Sequence, residues 1–429
     1  MSSNNRILYS CQAVGISEVG RDSIMASGLR SERHGAPFEG TDAFDTTQGM
    51  AYNYGGMVHG VQSIGITTNF NLEQVFELGQ IDIYENIEGI PDVEITLEKV
   101  LDGYPLIYLM ATTGVTGQGG SKSGILNRSK QQCDLRLGIF AESVDNVADA
   151  DDNSGKSEVE VYCSGVYVSS VSYSFPVDGN FTESITLVGN NKDWLTGSKV
   201  KMSNENAGTF DGNDEPHALV SASGGVQRRE DLLMEYSILP VGIKGVNGSG
   251  YGNAFLYNDG YNNPMDHSEV HLFMASGLGV HVQNVSISTD FSREDIFELG
   301  KKNPYYRPAA FPVEVSCEIE AVTTSGDFVT ALENGDPALY GLKASGNNTS
   351  EENIFFTTRA GYCFDLGKKN RLSSVSYGGG DAGGGNVSCT YSYSNFNNFD
   401  VRYIGHNDSR HMGFEKQPLT HFSQRGKLS

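Results

Sequence analysis

Asp149, Asp151, Asn153 and Glu160 stand at positions one, three, five and twelve of a calcium-loop spacing. Carboxylate and amide oxygens in that pattern would surround a hard cation. Two features argue against such a loop. Ser154 holds the sixth position, where the sharp turn calls for glycine, and Glu160 falls in a segment that reads as a strand. The expected reading is an acidic, solvated loop, with no metal and no cofactor. Gly155-Lys156-Ser157 matches the end of a phosphate-binding loop, but the glycine such a loop needs five residues earlier is missing. No GxSxG or HExxH motif occurs, and spacing suggests no nucleophile–base pair, so an enzyme is not expected. Cys11, Cys133, Cys163, Cys317, Cys363 and Cys389 form no CxxC pair and no close metal spacing; they read as buried thiols.

Several stretches of the chain occur twice, in the same order. Residues 61–79 read VQSIGITTNFNLEQVFELG, and residues 282–300 read VQNVSISTDFSREDIFELG. About half the positions are identical at one constant offset, and most others are like-for-like exchanges. Tyr84 and Tyr305 keep that offset. VEITLE from Val93 answers VEVSCE from Val313, and SSVSY occurs at Ser169–Tyr173 and again at Ser373–Tyr377. A repeat of this length is a whole domain and not a solenoid unit. The expected organisation is domain 1 over 7–190, a polar inter-domain stretch over 191–232, domain 2 over 233–404 and a C-terminal arm over 405–429.

The expected fold class is mainly β: two tandem related sandwich or barrel domains, each with a short flanking α-helix and long loops. Glycine is frequent, and 21 Tyr and 21 Phe stand against one Trp. Ile64, Ile66 and Phe70 alternate as in a strand. Asn71 and Ser292 read as helix N-caps, with Gly79 and Gly300 as helix ends. Val93, Ile95 and Leu97 then alternate with Glu94, Thr96 and Glu98, and Val313, Val315, Cys317 and Ile319 alternate with Glu314, Ser316, Glu318 and Glu320. One apolar and one polar face mark half-buried antiparallel strands. Each unit ends in a hairpin with one face of Ser and Thr, which suits a smooth, hydrated surface.

The formal net charge is −23, which disfavours sequence-specific nucleic-acid binding. No apolar run reaches membrane-spanning length, and no basic-then-apolar leader opens the chain, so neither a membrane partner nor a secretory signal is expected. The arm from Ile404 onward is basic, with Arg410, Lys416, Arg425 and Lys427 against Asp408 and Glu415.

The order of parts resembles that of the tail tube proteins of tailed bacteriophages. The residues that carry the resemblance run from Ser286 to Glu320. They include Phe297-Glu298-Leu299-Gly300, Asn303-Pro304-Tyr305-Tyr306 and Phe311-Pro312-Val313-Glu314-Val315. Phe76-Glu77-Leu78-Gly79 and Pro91 match the same pattern in the first unit, without the Pro-Tyr-Tyr element. The resemblance implies a structural virion protein made in the host cytoplasm and built into the virion tail. Six domains close a ring, and stacked rings form the conduit for genome ejection. A duplicated chain implies trimeric, pseudo-sixfold rings. It also implies contacts with other tail proteins (terminator, tape measure or sheath) and genomic DNA that passes without specific binding. The alternatives are a distal-tail or baseplate ring protein of a phage, or a calcium-dependent β-rich adhesin. Within the leading reading, Glu94, Glu98, Glu314 and Glu318 are expected to face the lumen. Lys122, Arg128, Lys130, Asp149, Asp151, Arg410 and Lys416 are expected at contacts between rings.

Overall fold

The computed structural model describes residues 7–19, 24–25, 56–79, 81–103, 106–112, 124–141, 157–200, 202–203, 226–233, 280–301, 304–323, 329–330, 342–343, 354–358, 360, 362–367, 369–378 and 385–403. The fold is mainly β, as the alternating runs predict. In the first half the strands are β1 (Gln12–Glu18), β2 (Val61–Asn69), β3 (Leu72–Phe76), β4 (Ile83–Glu88), β5 (Asp92–Val100), β6 (Cys133–Ile139), β7 (Val159–Pro176), β8 (Thr182–Gly189) and β9 (Asp193–Thr196). Two short helices, α1 (Ile107–Ala111) and α2 (Ile125–Arg128), lie between β5 and β6. The second half contributes β10 (Leu232–Leu233), β11 (Val280–Asp290), β12 (Glu314–Thr323), β13 (Phe355–Thr358), β14 (Tyr362–Asp365), β15 (Arg371–Gly378), β16 (Ser388–Phe396) and β17 (Asp400–Tyr403). No helix among the described residues is long and apolar enough to cross a membrane.

Eight of these strands form one antiparallel run in the order β2-β5-β8-β7-β11-β12-β16-β15. The run is a four-strand sequence read twice. β2 and β11 open the sets, β5 and β12 follow, then β8 and β16, then β7 and β15. The registers agree as well. β2 shifts register on β5 between Val61 and Ser63, and β11 shifts on β12 between Val282 and Asn284. β7 shifts against β8 at Ser169, and β15 shifts against β16 at Ser373. The alignment of the acidic strands needs a correction. Val93 stands opposite Thr68, whereas it is Val315 that stands opposite the corresponding Thr289. The strand of Val93 is therefore offset by two residues from VEVSCE. A two-residue slip keeps every side chain on its face, so the polar pattern hid it.

The ELG segments are not helices. Residues 72–76 form β3, which pairs with β4 through Leu72↔Glu88 and Val75↔Glu85. The corresponding residues in the second half make the bridges Arg293↔Ala309 and Ile296↔Tyr306. Gly79 (φ +96) and Gly300 (φ +88) do take the left-handed conformation, but as hairpin turns and not as helix ends. Asn71 does not cap a helix; its amide donates to Ile90 O and Asp92 Oδ2, both at 2.9 Å. An isolated helix of two turns is costly to nucleate and would have had no core face here. A paired hairpin satisfies the same backbone groups.

A second, smaller sheet backs each half: β1-β6-β7-β9 in the first and β10-β13-β14-β17 in the second. β7 serves both sheets, pairing with β6 and β9 through its first half and with β8 and β11 through its second. One buried cluster runs through both halves. Phe175 and Phe181 of the first pack on Phe356 and Phe364 of the second, with Phe175 at 5.1 Å from each of the other three rings. The stretch assigned as inter-domain contributes β9 and the buried Gln227. Its backbone joins Leu101 and Phe181, and its side chain accepts from Ala360 N.

Candidate assembly surfaces

The large sheet has two unlike faces. Along one row of directly opposed residues stand Ser63, Glu98, Ser184, Ser172, Ser288, Ser316 and Ser394. The next row holds Ser174, Ser286, Glu318, Ser392 and Ser374. The opposite face carries Ile64, Leu97, Ile185 and Val171 in one row and Tyr173, Ile287, Cys317 and Tyr393 in another. That face packs into the core, while Glu94, Glu98, Glu314 and Glu318 are all exposed on the polar one. Period-two alternation places them, and cross-strand registry gathers both halves into a single surface. Almost every filler between the glutamates is a short hydroxyl side chain.

The two four-strand sets meet where β7 pairs with β11, from Asn284↔Pro176 to Asp290↔Ser170. Phe291 follows β11, donates its N–H to Ser169 O at 2.8 Å and is fully buried. Arg293 fastens the joint. Its Nε and Nη2 donate to Val168 O at 2.9 and 2.7 Å, and its Nη1 donates to Arg307 O at 2.9 Å. The guanidinium lies 4.8 Å from the Tyr167 ring centre, and Tyr167 meets Tyr306 edge-on at 6.4 Å. Burial pulls the Arg293 guanidinium down to about 10, so it remains charged at neutral pH. Arg307 pairs with Asp295 and reaches Asp92 of the first half at 3.3 Å. On the core side Tyr173 is 1% exposed beneath Phe364, at 4.8 Å.

The outer edges, β2 and β15, have one sheet partner each among the described residues. Phe70, at the repeat position of Phe291, is 72% exposed; Tyr377, at the position of Tyr173, is 54% exposed. Leu72 stands in the place of Arg293 and is exposed, as are Phe76, Leu78, Ile81 and Tyr84 of the β3–β4 hairpin. Phe291, Arg293 and Tyr173 thus have exposed counterparts in Phe70, Leu72 and Tyr377 at or beside the outer edges. Sequence reading missed Phe291, Arg293 and Tyr173, although the repeat offset already paired two of them with Phe70 and Leu72.

Of the residues expected between rings, Lys122, Asp149, Asp151, Arg410 and Lys416 lie outside the described residues. Lys130 is exposed. Arg128 is turned inward: its Nη1 donates to Thr112 Oγ1 at 2.8 Å and its guanidinium lies 5.8 Å from the Tyr108 ring centre. Glu160, the last residue of the calcium-loop spacing, is fully buried in an ion pair with Arg136 at 3.0 Å. Asn153 lies outside the described residues. The other buried charges are structural too. Lys99 donates to Asp102 at 2.7 Å and to His59 O. Glu183 accepts from Ile107 N, Tyr108 N and Tyr173 Oη at 2.6, 3.0 and 2.9 Å, closing the start of α1. Burial raises its carboxyl above the ordinary value. The six cysteines are buried thiols, and no described cluster of His, Cys, Asp and Glu could hold a metal.

No family model and no curated protein matches the chain. Among solved structures it is similar to the tube-terminating cap of the anti-feeding prophage, at 13% identity and a TM-score of 0.26, over 46% of this chain and 95% of that one. A sheath–tube complex of the PVC extracellular contractile injection system matches at 10% identity and TM-score 0.25, over 46% and 95%. The sheath/tube terminator of that system matches at 10% and 0.27, over 45% and 99%. Scores this low leave the architecture to stand on its own pairing pattern.

Proposed function

We propose that this chain is a structural subunit of a phage-tail-like tube, in which copies join edge to edge into a closed ring and rings stack. One observation carries the reading. A four-strand set is repeated head to tail in a single sheet, in the same order and with the same register shifts. A head-to-tail contact leaves unlike edges at its two ends, and such a contact either closes into a ring or runs on as a filament. Closure also removes edge strands that would otherwise invite aggregation. Each chain supplies two ring positions, so three chains make a pseudo-sixfold ring in the virion tail.

The Ser, Thr and Glu face lines the channel in this reading. Short hydroxyls hold water without offering long cationic arms, and glutamates repel phosphates, so DNA moves past without binding. The basic arm and the segments around Lys122, Lys130 and Asp149 remain the proposed contacts between rings and with other tail proteins.

Electron microscopy of the purified chain tests the proposal. Hollow stacked tubes, or rings of about three times 46.4 kDa, are expected. Monomers at all concentrations would overturn it, and a ring of six chains would overturn the count. Changing Glu94, Glu98, Glu314 and Glu318 to Lys in assembled tails should slow DNA release.

A further inference from the structure

We propose that the two outer edges of the large sheet, each with one strand partner among the described residues, are shaped for each other: β2 of one copy adds to β15 of a second copy in the register of the internal joint. There an ion pair between Glu85 and Arg371 takes the place of the ring pair Tyr306 and Tyr167. The inference rests on the ring reading above and gives its joint a residue-level form.

The correspondence comes from the pairing pattern. Val75↔Glu85 matches Ile296↔Tyr306, and Leu72↔Glu88 matches Arg293↔Ala309, so Glu85 stands in the place of Tyr306. On the other edge, Val188↔Tyr167 matches Ser394↔Arg371, with the same shift at Ser169 and Ser373, so Arg371 stands in the place of Tyr167. Tyr167 and Tyr306 meet inside the chain. Glu85 and Arg371 would therefore meet where two copies join, and both are exposed in the single chain. Internally Ser288 opposes Ser172 and Asp290 opposes Ser170. Carried outward, that register sets Thr67 against Ser376 and Asn69 against Ser374. It also brings Phe70 N to Ser373 O, as Phe291 N meets Ser169 O.

The exposed residues fit such a partner. Phe70 and Leu72 on one edge and Tyr377 on the other are apolar side chains whose internal counterparts, except at Leu72, are buried rings. The exchange of two tyrosines for opposite charges adds selection. β2 meeting β15 pairs acid with base, whereas β2 meeting β2, or β15 meeting β15, offers no opposite charge.

A cysteine pair reads the register directly, because the six native cysteines are buried. Full-length protein carrying Thr67→Cys and Ser376→Cys, oxidised in the assembled state, should give covalent dimers and then trimers on a non-reducing gel. Thr67→Cys with Leu372→Cys, on the opposite face, should not. Glu85→Arg should weaken self-association on the order of tenfold, and adding Arg371→Glu should restore it. Rings that form while Thr67→Cys with Ser376→Cys fails to cross-link, or while the double reversal fails to rescue, would overturn this joint and leave the ring reading standing. Cross-linking and rescue in particles that are open chains would support the joint and overturn the ring. A chain that never self-associates would overturn both.

Discussion

The internal joint and the outer edges of the large sheet hold equivalent positions of the repeat, and they differ in burial and in side-chain chemistry. Inside the chain, Phe291 and Tyr173 are buried and Arg293 ties β11 to a carbonyl of β7. At the edges, Phe70 and Tyr377 stand in water and Leu72 replaces the arginine. The internal joint is part of the fold and depends on buried groups that must stay satisfied. The edges present apolar rings with charges beside them, the composition of a contact formed from folded partners.

The largest test of that comparison removes the matching rings. Phe291→Ala should lower the stability of the chain by about 3–5 kcal/mol, because a packed core residue is lost. Phe70→Ala should change it by less than about 0.5 kcal/mol in the unassembled chain and reduce assembly instead. Denaturant midpoints and sedimentation give the two readings, and equal destabilisation would erase the distinction. Next, Arg293→Leu copies the edge into the joint. It should cost about 2–3 kcal/mol, since Val168 O and Arg307 O lose a charged donor. The reciprocal change is Leu72→Arg together with Arg371→Tyr, because Arg371 holds the place of the ring over which Arg293 lies and would repel a second guanidinium. The pair should tighten assembly by giving Leu372 O of the next copy that donor. Looser assembly would break the analogy.

A third test compares the cores of the two halves. Glu183 opposes Lys99 in the first half, where Cys389 opposes Ala321 in the second. Glu183→Gln should cost about 1–3 kcal/mol in acid, because both carboxyl oxygens face donors and the amide NH2 turns a further donor on one of them. The folded carboxyl is raised by burial, against the hydrogen bonds from Tyr108 and Ile107. Its contribution is therefore fully present in acid and is lost as pH rises through the raised value. The stability gap between wild type and Glu183→Gln should be widest in acid and narrow toward neutrality; a gap that widens would reverse the assignment. The smallest effect is ionic. Shortening the Debye length from about 10 Å to about 3 Å with salt should weaken each Glu85–Arg371 contact by about 0.2–1 kcal/mol and leave the denaturation midpoint nearly unmoved.

The strands and their faces were legible because alternation is local: Val93, Ile95 and Leu97 against Glu94, Thr96 and Glu98 needs no partner to be read. The ELG segments were misread because Val75, Phe76 and Leu78 fit a helix stripe as well as a strand. The deciding partner, residues 83–88, lies outside the window in which periodicity is judged. The two-residue slip between Val93 and Val313 was invisible for a related reason, since every second residue looks alike along a strand. The pairing of β7 with β11 is a long-range event, and only the repeat hinted at it. Arg293 and Phe291 therefore entered the sequence reading as members of a motif and not as the fastening of a joint. Lys99 was a missed warning: its place after Leu97 puts a charge on the apolar side, where it is fully buried beside Asp102.

The β7–β11 pairing sits within one polypeptide, which changes the arithmetic of closing a ring. Two tethered units find each other at the effective concentration set by the connection, independent of how much protein is present. In the proposed pseudo-sixfold ring, three chains come together in two diffusional encounters and the last contact closes within the assembly, where six separate units would need five encounters. The tethered contact never has to come apart and be found again, so its residues are released from any demand for reversibility. Selection for correct partner, angle and timing then falls on the other three contacts alone.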